Sequence, residues 1–353
     1  MSPPTYRGSG HPGAPVDRRP GALERIPADP RPEGVRLRAI AVLWHAMWEV
    51  LRRLPAGLAF AIGDRAALLG YWTARRSRRQ VRANLRRVVG PRAVLEEAVR
   101  AAFRSYARYW IEAFRAADLD PDDLDARTTT DGFAHLDAAL EQGKGAIVLL
   151  AHHGSWDVAA RWAECHGYHL AVVAEVVRPR SLFAKFVRLR EAVGVEVVPL
   201  EPRRRTAEPG AAAGGRGAGM GGRLTEVLAA NHLVGLLTDR DLSGRAPIAM
   251  LFGEPCRIPT GAIVLARRSG APIVPITMLQ RPGRRWHLQV LPALDVATGT
   301  ISEACGTIAG ALEGLIRTDP AQWHAFSPVW LADRRAAAQT VDRSLAAQTA
   351  EGP

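Results

Sequence analysis

The sequence predicts an α/β fold in which helices cover both faces of a mainly parallel central sheet. Three observations support this prediction. From residue 145 onwards, short apolar runs alternate with longer segments of helical periodicity. The runs are continuously apolar, which is typical of parallel strands buried on both faces. The chain has 353 residues, of which 47% are hydrophobic, enough for one large domain or two smaller ones.

Residues 35–90 are predicted to form helices that associate with a membrane surface. The segment 35–54 places apolar residues three and four positions apart, and a second apolar stretch ends at Trp72. Residues 75–87 then hold seven arginines and no acidic residue. This pattern suits an anionic bilayer, although a solvated basic face packed on the core explains it equally well. No run reaches the roughly 20 apolar residues of a spanning helix, so we expect none.

The remaining elements follow in chain order after a predicted long helix at 93–118. The predicted strands are 145–151, 168–176, 195–200, 232–239, 271–279 and 285–294. The predicted helices are one ending near residue 166, 180–194, 224–231, one beginning near residue 261, and 302–318. We expect a single domain over 35–335 with a flexible Gly-rich loop at 203–223. It is flanked by a disordered Pro/Gly-rich tail at 1–34 and a C-terminal tail at 336–353.

The formal charge of +12 indicates an anionic partner, such as a phospholipid surface, a phosphorylated ligand or nucleic acid. Nucleic acid is disfavoured because the basic segment has no interleaved aromatic residues and no recognisable binding module. The three cysteines show no metal-binding spacing and fit a reducing cytosol. No secretory signal is expected at the start of the chain.

The segment "AHHGSWD" follows the predicted strand 145–151. In parallel sheets, ligands bind beyond the carboxyl ends of the strands. A neutral imidazole there can deprotonate a hydroxyl if a carboxylate orients the ring. Asp157 follows His153 by four residues and shares its helix face, whereas His152 can meet Asp157 only from a strand-exit loop. The spacing therefore leaves both histidines open as the base, and a structural histidine remains the alternative.

The same segment offers donors for an oxyanion. Backbone N–H groups at Gly154, Ser155 and Trp156 would lie at a helix start and face a developing negative charge. A metal site is the other interpretation of two histidines with an aspartate. We predict none, because the sequence shows no further ligand cluster.

A second strand exit carries "LLTDRDL". Asp239, Arg240 and Asp241 could order a loop by pairing with one another, or Arg240 could meet a phosphate. A structural salt bridge is the alternative, particularly for Asp241. The Gly- and Pro-punctuated segment 251–276 predicts a tight loop that opens a helix near Gly261 and could form one wall of a pocket.

Several of these segments together resemble the lipid A lauroyl acyltransferase family of bacterial membrane-associated acyltransferases. The resemblance covers about residues 35–333 and rests on segments that occur in the family's order. They are "AHHGSWD", "RLREAVGVEVVPL", "LLTDRDL", "LFGEPCRIPTGAIVLARRSGAPIVPI" and "DPAQWHAFSPVW". "TDRDL" and "WHAFSPVW" are most similar to the actinobacterial branch, which acylates phosphatidylinositol mannosides. The Pro-rich tail and the Gly-rich loop are not part of the family pattern.

The resemblance implies an α/β/α sandwich like that of glycerolipid acyltransferases and assigns roles to several residues. Its H-x4-[DE] motif falls on His152 and Asp157, which makes His152 the base. Arg190 falls where that branch has an important arginine, and Glu226 where it has a glutamate partner of the histidine. From the residues alone, Arg190 and Glu226 are surface charges by default.

The predicted function is therefore transfer of a long-chain acyl group from acyl-CoA to a mannose hydroxyl of a phosphatidylinositol mannoside. The predicted enzyme lies peripherally on the cytoplasmic face of the cell membrane. It uses acyl-CoA as co-substrate and needs no cofactor. Gly154, Ser155, Trp156, Arg190, Asp239 and Arg240 are expected to bind substrate. The alternatives are an acyltransferase for another glycolipid or a lysophospholipid, a soluble acyl-CoA thioesterase, and a non-enzymatic membrane or nucleic-acid binder.

Overall fold

The computed structural model describes residues 34–90, 92–176, 178–200 and 220–335. The predicted tails at 1–34 and 336–353, except Gly34, lie outside the described residues, as does the predicted Gly-rich loop up to residue 219. The helices are α1 (Val35–Arg53), α2 (Ala56–Thr73), α3 (Arg75–Val89), α4 (Arg92–Arg115), α5 (Pro121–Ala126), α6 (Ala134–Leu140), α7 (Trp156–Cys165), α8 (Arg180–Ala192), α9 (Met220–Ala229), α10 (Gly261–Ser269) and α11 (Ile301–Thr318).

The strands are β1 (Thr128–Asp131), β2 (Ala146–Leu150), β3 (Leu170–Glu175), β4 (Val195–Leu200), β5 (Leu233–Leu237), β6 (Ile248–Leu251), β7 (Glu254–Arg257), β8 (Ile273–Arg281) and β9 (Arg285–Val290). Seven of them form one sheet in the order β1-β9-β8-β2-β5-β3-β4. The strands from β8 to β4 are mutually parallel, β9 runs antiparallel to β8, and β1 runs parallel to β9. The predicted α/β fold with a mostly parallel sheet is confirmed.

The two faces of the sheet carry separate apolar cores. Residues of α9, α10 and α11 pack with one face of β2, β5 and β8. Residues of α6 and α7 pack with the other face of these strands, and α8 covers β3 and β4. Because neighbouring residues of a strand point to opposite faces, a strand buried between two helical layers is apolar throughout. This explains the continuous apolar run of β2.

Two strand pairings were not predicted from the sequence. β1 is a short, mostly exposed strand of threonines, so its sequence carries no apolar signal. β6 and β7 form a separate hairpin over 248–257, which overlaps the start of the predicted loop segment. Phe252 and Gly253 make its two-residue turn, and both have positive φ angles of 50° and 75°. Turns with two left-handed residues match the twist of hairpin strands, so this loop is a hairpin turn.

The N-terminal helices occur as predicted, and they pack through part of their surface. α2, α3 and α4 share an apolar core, and Trp48 of α1 stacks on Phe114 of α4 with ring centroids 4.7 Å apart. Large apolar side chains remain on the outside: Val42, Leu43 and Trp72 are 67%, 69% and 59% exposed. Within the described residues, no helix is long and apolar enough to span a membrane.

The seven arginines of α3 divide into two groups. Arg82 pairs with Glu96, and Arg87 pairs with Glu254 and Asp333. Arg78 donates to the carbonyl oxygen of a residue of α2. The other four face solvent; they are Arg75, Arg76, Arg79 and Arg86. Part of the basic segment therefore holds the helical layer to the rest of the domain, and part presents charge on the surface.

Candidate active site

Two strand exits meet at the carboxyl edge of the sheet. β2 and β5 are neighbours, with Leu150 opposite Leu237. His152 and Asp239 each follow by two residues, so they leave the sheet at the same level. The Nδ1 atom of His152 lies 2.7 Å from the Oδ1 atom of Asp239. The two predicted motifs thus form one site, with Asp239 as the partner of the histidine.

Asp239 is held on both carboxylate oxygens. The indole Nε1–H of Trp323 donates to Oδ2 at 2.9 Å. Asp239 is only 3% exposed, and burial alone would raise its pKa, but the charge and hydrogen bond of His152 and the indole donor lower the pKa to about 2. The carboxylate is therefore ionised at neutral pH, as an orienting group for an imidazole requires.

His153 has a structural environment. Its Nδ1 lies 2.9 Å from the hydroxyl of Thr277, and its Nε2 lies 2.9 Å from the carbonyl oxygen of Asp319. The ring is buried, which lowers its pKa. The side chain of His152, in contrast, is 23% exposed and borders a cavity. Since both ring nitrogens of His153 are engaged, the geometry favours His152 over His153 as the base.

The loop after His153 is fixed by its backbone. Gly154 has a φ of +65°, and a Cβ there would overlap the carbonyl oxygen of Met278. The N–H of Gly154 donates to the carbonyl of Gln322 at 3.0 Å, and that of Ser155 to the carbonyl of Met278 at 2.8 Å. The prediction that these two N–H groups bind an oxyanion is therefore wrong, because both donate within the protein.

Ser155 also points away from the cavity. Its side chain is fully buried and donates to Glu112, while Gln280 donates to its Oγ at 3.1 Å. Burial raises the pKa of Glu112, although the charge of Arg108 opposes this. The polar cluster fastens α4 to the start of α7. The predicted substrate contact of Ser155 is thus replaced by a structural one.

Asp157 contacts different residues from those predicted. Its Oδ2 accepts from the hydroxyl of Tyr109 at 2.8 Å, and its Oδ1 from Nε of Arg190 at 3.2 Å. Burial, together with the carboxylate of Asp157, raises the pKa of Tyr109 well above its ordinary value. The predicted contact between Asp157 and His152 is wrong. His152 does lie on the strand-exit loop before α7, but Asp157 is engaged by Tyr109 and Arg190, and Asp239 approaches the ring directly from the adjacent strand.

Trp156 and Arg190, two of the residues expected to bind substrate, border the cavity. Trp156 stacks on Tyr109 with centroids 4.0 Å apart and meets the ring of His152 edge-on at 5.5 Å. Arg190 is mostly buried, so the surface assignment made from its sequence context does not hold. Burial alone would lower its pKa, but the charge of Asp157, with smaller contributions from Tyr109 and from the hydrogen bond to Asp157, outweighs this effect and raises it.

The remaining charged candidates are dispersed. Arg240 is exposed at the cavity border. Asp241 accepts from the backbone N–H groups of Ser243 and Ala246, so it shapes its own loop. The predicted mutual pairing within "TDRDL" is therefore replaced by separate contacts.

Glu226 lies on α9 and pairs with Arg223 at 3.0 Å. Arg223 also bonds to Glu196, the second residue of β4 and thus at the amino end of the strands. α9 leads back from there towards the start of β5, whereas His152 follows the carboxyl end of β2. The resemblance assigned Glu226 as the partner of the histidine, in a stretch that follows the Gly-rich segment. In the structure, the partner of His152 is Asp239.

A cavity of about 910 Å³ opens beside His152. Most of its lining is apolar, and the polar side chains at its border include Arg190, Arg240 and Arg268. In the part of the chain that the structure describes, no group of His, Cys, Asp or Glu side chains could hold a metal ion. The arrangement is an imidazole with an ionised carboxylate partner at the mouth of an apolar cavity. It can remove a proton from a hydroxyl of a bound amphipathic molecule.

Two residues of this site were missed from the sequence. Trp323 lies in the quoted segment "DPAQWHAFSPVW", and its backbone bridges to His153, which brings its indole to Asp239. Tyr109 lies in the middle of α4, and its contacts with Asp157 and Trp156 appear only in the folded structure. The position of Trp323 in a family segment was the one available signal.

Comparison with known proteins shows the family of the chain. The family described as bacterial lipid A biosynthesis acyltransferase matches residues 35–332. A phosphatidylinositol mannoside acyltransferase of Mycobacterium tuberculosis is 36% identical over 317 residues, covering 88% of this chain and 94% of the relative. The protein of the same name from Mycolicibacterium smegmatis is 34% identical over 292 residues, covering 82% and 91%. The chain belongs to the bacterial lipid A biosynthesis acyltransferase family.

Proposed function

We propose that this acyltransferase moves a long-chain acyl group from acyl-CoA to a mannose hydroxyl of a phosphatidylinositol mannoside. The observation that carries the proposal is the bond between His152 and Asp239 at the mouth of the apolar cavity. The names of the relatives support the acceptor. The amphipathic lining supports a substrate with a long apolar chain and an anionic head.

The chemical step begins with the histidine. When Nδ1–H of the neutral ring donates to Asp239, the lone pair is on Nε2. Nε2 takes the proton of the mannose hydroxyl while its oxygen attacks the thioester carbonyl. The carboxylate stabilises the imidazolium that forms. Collapse of the tetrahedral intermediate breaks the carbon–sulfur bond, and the thiolate of coenzyme A leaves and can take up the proton. Because a thiolate is a good leaving group, no separate strong acid is required.

The N-terminal helices support peripheral association with a membrane surface, and the proposed location is the cytoplasmic face of the cell membrane. Val42 and Leu43 on α1 and Trp72 on α2 are exposed apolar side chains. Exposed arginines of α3 lie in the next helix along the chain. Apolar side chains inserted at the interface and arginines near anionic headgroups stabilise peripheral binding together. The acceptor would reach the cavity from the same surface.

The test uses the purified full chain with palmitoyl-CoA and a mannosylated phosphatidylinositol. We expect thiol release that depends on the acceptor, and a His152→Ala variant should be slower by at least about a hundredfold, since it lacks the general base. His135→Ala, at an exposed histidine on α6, is the matched control and should keep its activity. A His152→Ala variant with full turnover would contradict the proposal.

The acceptor requirement separates the alternatives. Thiol release and free fatty acid without any acceptor would identify a thioesterase. Transfer to a lysophospholipid or another glycolipid in preference to mannosylated phosphatidylinositol would assign a different acceptor. Either result would overturn the proposed acceptor. The role of His152 would still be tested by the activity of His152→Ala.

A further inference from the structure

Gly235 occupies an unusual position for a glycine. It is the middle residue of β5, in the centre of the sheet, opposite Val148 of β2 and Val172 of β3. The pairing with β2 continues without interruption to Leu237, whereas the pairing with β3 ends at Gly235, and neither shows the extra residue of a bulge. The φ angle of Gly235 is also outside the positive range that favours glycine at other positions of the chain. A glycine inside a regular strand weakens the strand, and it often marks a place where a ligand approaches closely.

Three neighbouring side chains pack over the Cα atom of Gly235. A Cβ at this position would lie 3.2 Å from Cγ1 of Val172, 3.4 Å from Cδ1 of Leu170 and 3.6 Å from Cδ1 of Leu150. These three side chains and Gly235 all line the cavity. Any larger side chain at 235 must therefore push its neighbours outwards, towards α7 and α8, and take volume from the cavity on that face of the sheet.

That part of the cavity is the deep one, and it is called the deep lobe here. It lies between the sheet and helices α7 and α8, and it extends from His152 to Leu170 and Val195, the first residues of β3 and β4. Leu170 and Ala174 both line it, and at the rise of a strand they are roughly 13 Å apart. The deep lobe thus follows most of the length of β3, which is the shape an alkyl chain needs.

The part of the cavity on the opposite face is bordered by α9 and α10, and buried apolar side chains such as Leu224 and Leu265 line it as well. Leu200 and Leu236, which line it, belong to the carboxyl ends of their strands. Arg240, Arg268 and Thr260 add polar groups there. Arg240 and Arg268 suit an anionic headgroup on this side. In the deep lobe the charges of Arg190 and Asp157 pair with each other, and the rest of its lining suits an apolar tail.

We propose that Gly235 sets the length of the acyl chain that the enzyme accepts, by keeping the deep lobe open to the tail of the donor. The inference rests on the proposed function for the identity of the donor. A carbonyl next to His152 would direct the tail down the lobe and past Gly235. The distal methylenes would lie against the glycine and the side chains that surround it.

The test compares donors of different length with Gly235→Val and the wild type. Each methylene excluded from an apolar site weakens binding roughly fourfold. The ratio of kcat/KM for palmitoyl-CoA to that for decanoyl-CoA should therefore fall at least about tenfold in the variant, from loss of only two buried methylenes. Gly235→Ala should shift the same ratio in the same direction by a smaller factor, and it serves if the valine variant does not fold.

The matched control is Gly261→Val, which adds the same side chain to another glycine that lines the cavity. A Cβ there has open space around it, at the start of α10 on the other face of the sheet. It should leave the ratio of the two donors unchanged. An equal loss of both donors in folded Gly235→Val, or a shift in Gly261→Val as large as that in Gly235→Val, would overturn the proposal.

A binding measurement separates this inference from the proposed function. Calorimetric titration of decanoyl-CoA and palmitoyl-CoA into His152→Ala, with and without Gly235→Val, measures the affinity for each donor in the absence of turnover. Weaker binding of palmitoyl-CoA alone would support the role of Gly235 even if no transfer to a mannolipid were found. Unchanged binding of both donors would contradict it even if transfer were found.

Discussion

Two buried carboxylates lie near His152, and they have different partners. Asp157 is five residues away in the sequence and bonds to Tyr109 and Arg190. Asp239 is 87 residues away and bonds to the histidine itself. Each also accepts from one aromatic donor, Tyr109 in one case and Trp323 in the other. The comparison shows that sheet order decides the partner of a strand-end histidine, because β5 lies beside β2.

The largest expected effect of breaking this arrangement is that of Asp239→Asn. The indole of Trp323 can only donate, so the amide oxygen should face it and the amide NH₂ should face Nδ1 of His152. This forces the hydrogen of the imidazole onto Nε2, where the base needs its lone pair. We expect kcat to fall by about 10²–10⁴-fold in the thiol-release assay, with the far-ultraviolet circular dichroism unchanged. A nearly normal kcat in this variant would show that the carboxylate of Asp239 is not needed for the reaction.

A smaller effect on catalysis and a clear effect on stability are expected for Asp157→Asn. The amide still accepts from Tyr109, but Arg190 loses its counter-charge in a mostly buried position. The free energy of unfolding in urea should fall by about 1–3 kcal/mol. A loss of kcat as large as that of Asp239→Asn, at unchanged stability, would instead support the sequence-based pairing of Asp157 with His152.

The smallest effect is expected for Glu226→Gln. This change removes a partly exposed ion pair with Arg223, and such pairs contribute about 0–1 kcal/mol. Steady-state turnover should stay within about twofold of the wild type, since a charge near the amino ends of the strands is remote from the base. A loss of turnover comparable to that of Asp239→Asn would show instead that Glu226 takes part in the reaction.

Most of the fold could be predicted from the sequence because its elements carry strong local signals. The apolar runs of β2, β3 and β5 and the helical periodicity around them predict a buried parallel sheet. β1 could not be predicted, since its threonines are mostly exposed and its pairing with β9 depends on a distant segment. The β6–β7 hairpin was taken for a loop because Phe252 occupies a turn position that usually has Asn, Asp or Gly.

The sequence predicted the two segments that form the candidate site, but it did not predict that they contact each other. The two segments "AHHGSWD" and "LLTDRDL" were each identified as strand exits, and both contribute to the site. Their contact depends on the insertion of β5 between β2 and β3, which chain order does not reveal. Likewise, the spacing of His153 and Asp157 suggested a pair, but burial gives both side chains other partners.

The most direct test of the pairing of His152 with Asp239 is the nitrogen-15 NMR spectrum of the His152 imidazole, assigned by its loss in His152→Ala. Neutral His152 should carry its hydrogen on Nδ1 in the wild type and in Asp157→Asn, and on Nε2 in Asp239→Asn. An Nδ1 hydrogen that persists in Asp239→Asn but is lost in Asp157→Asn would contradict this pairing.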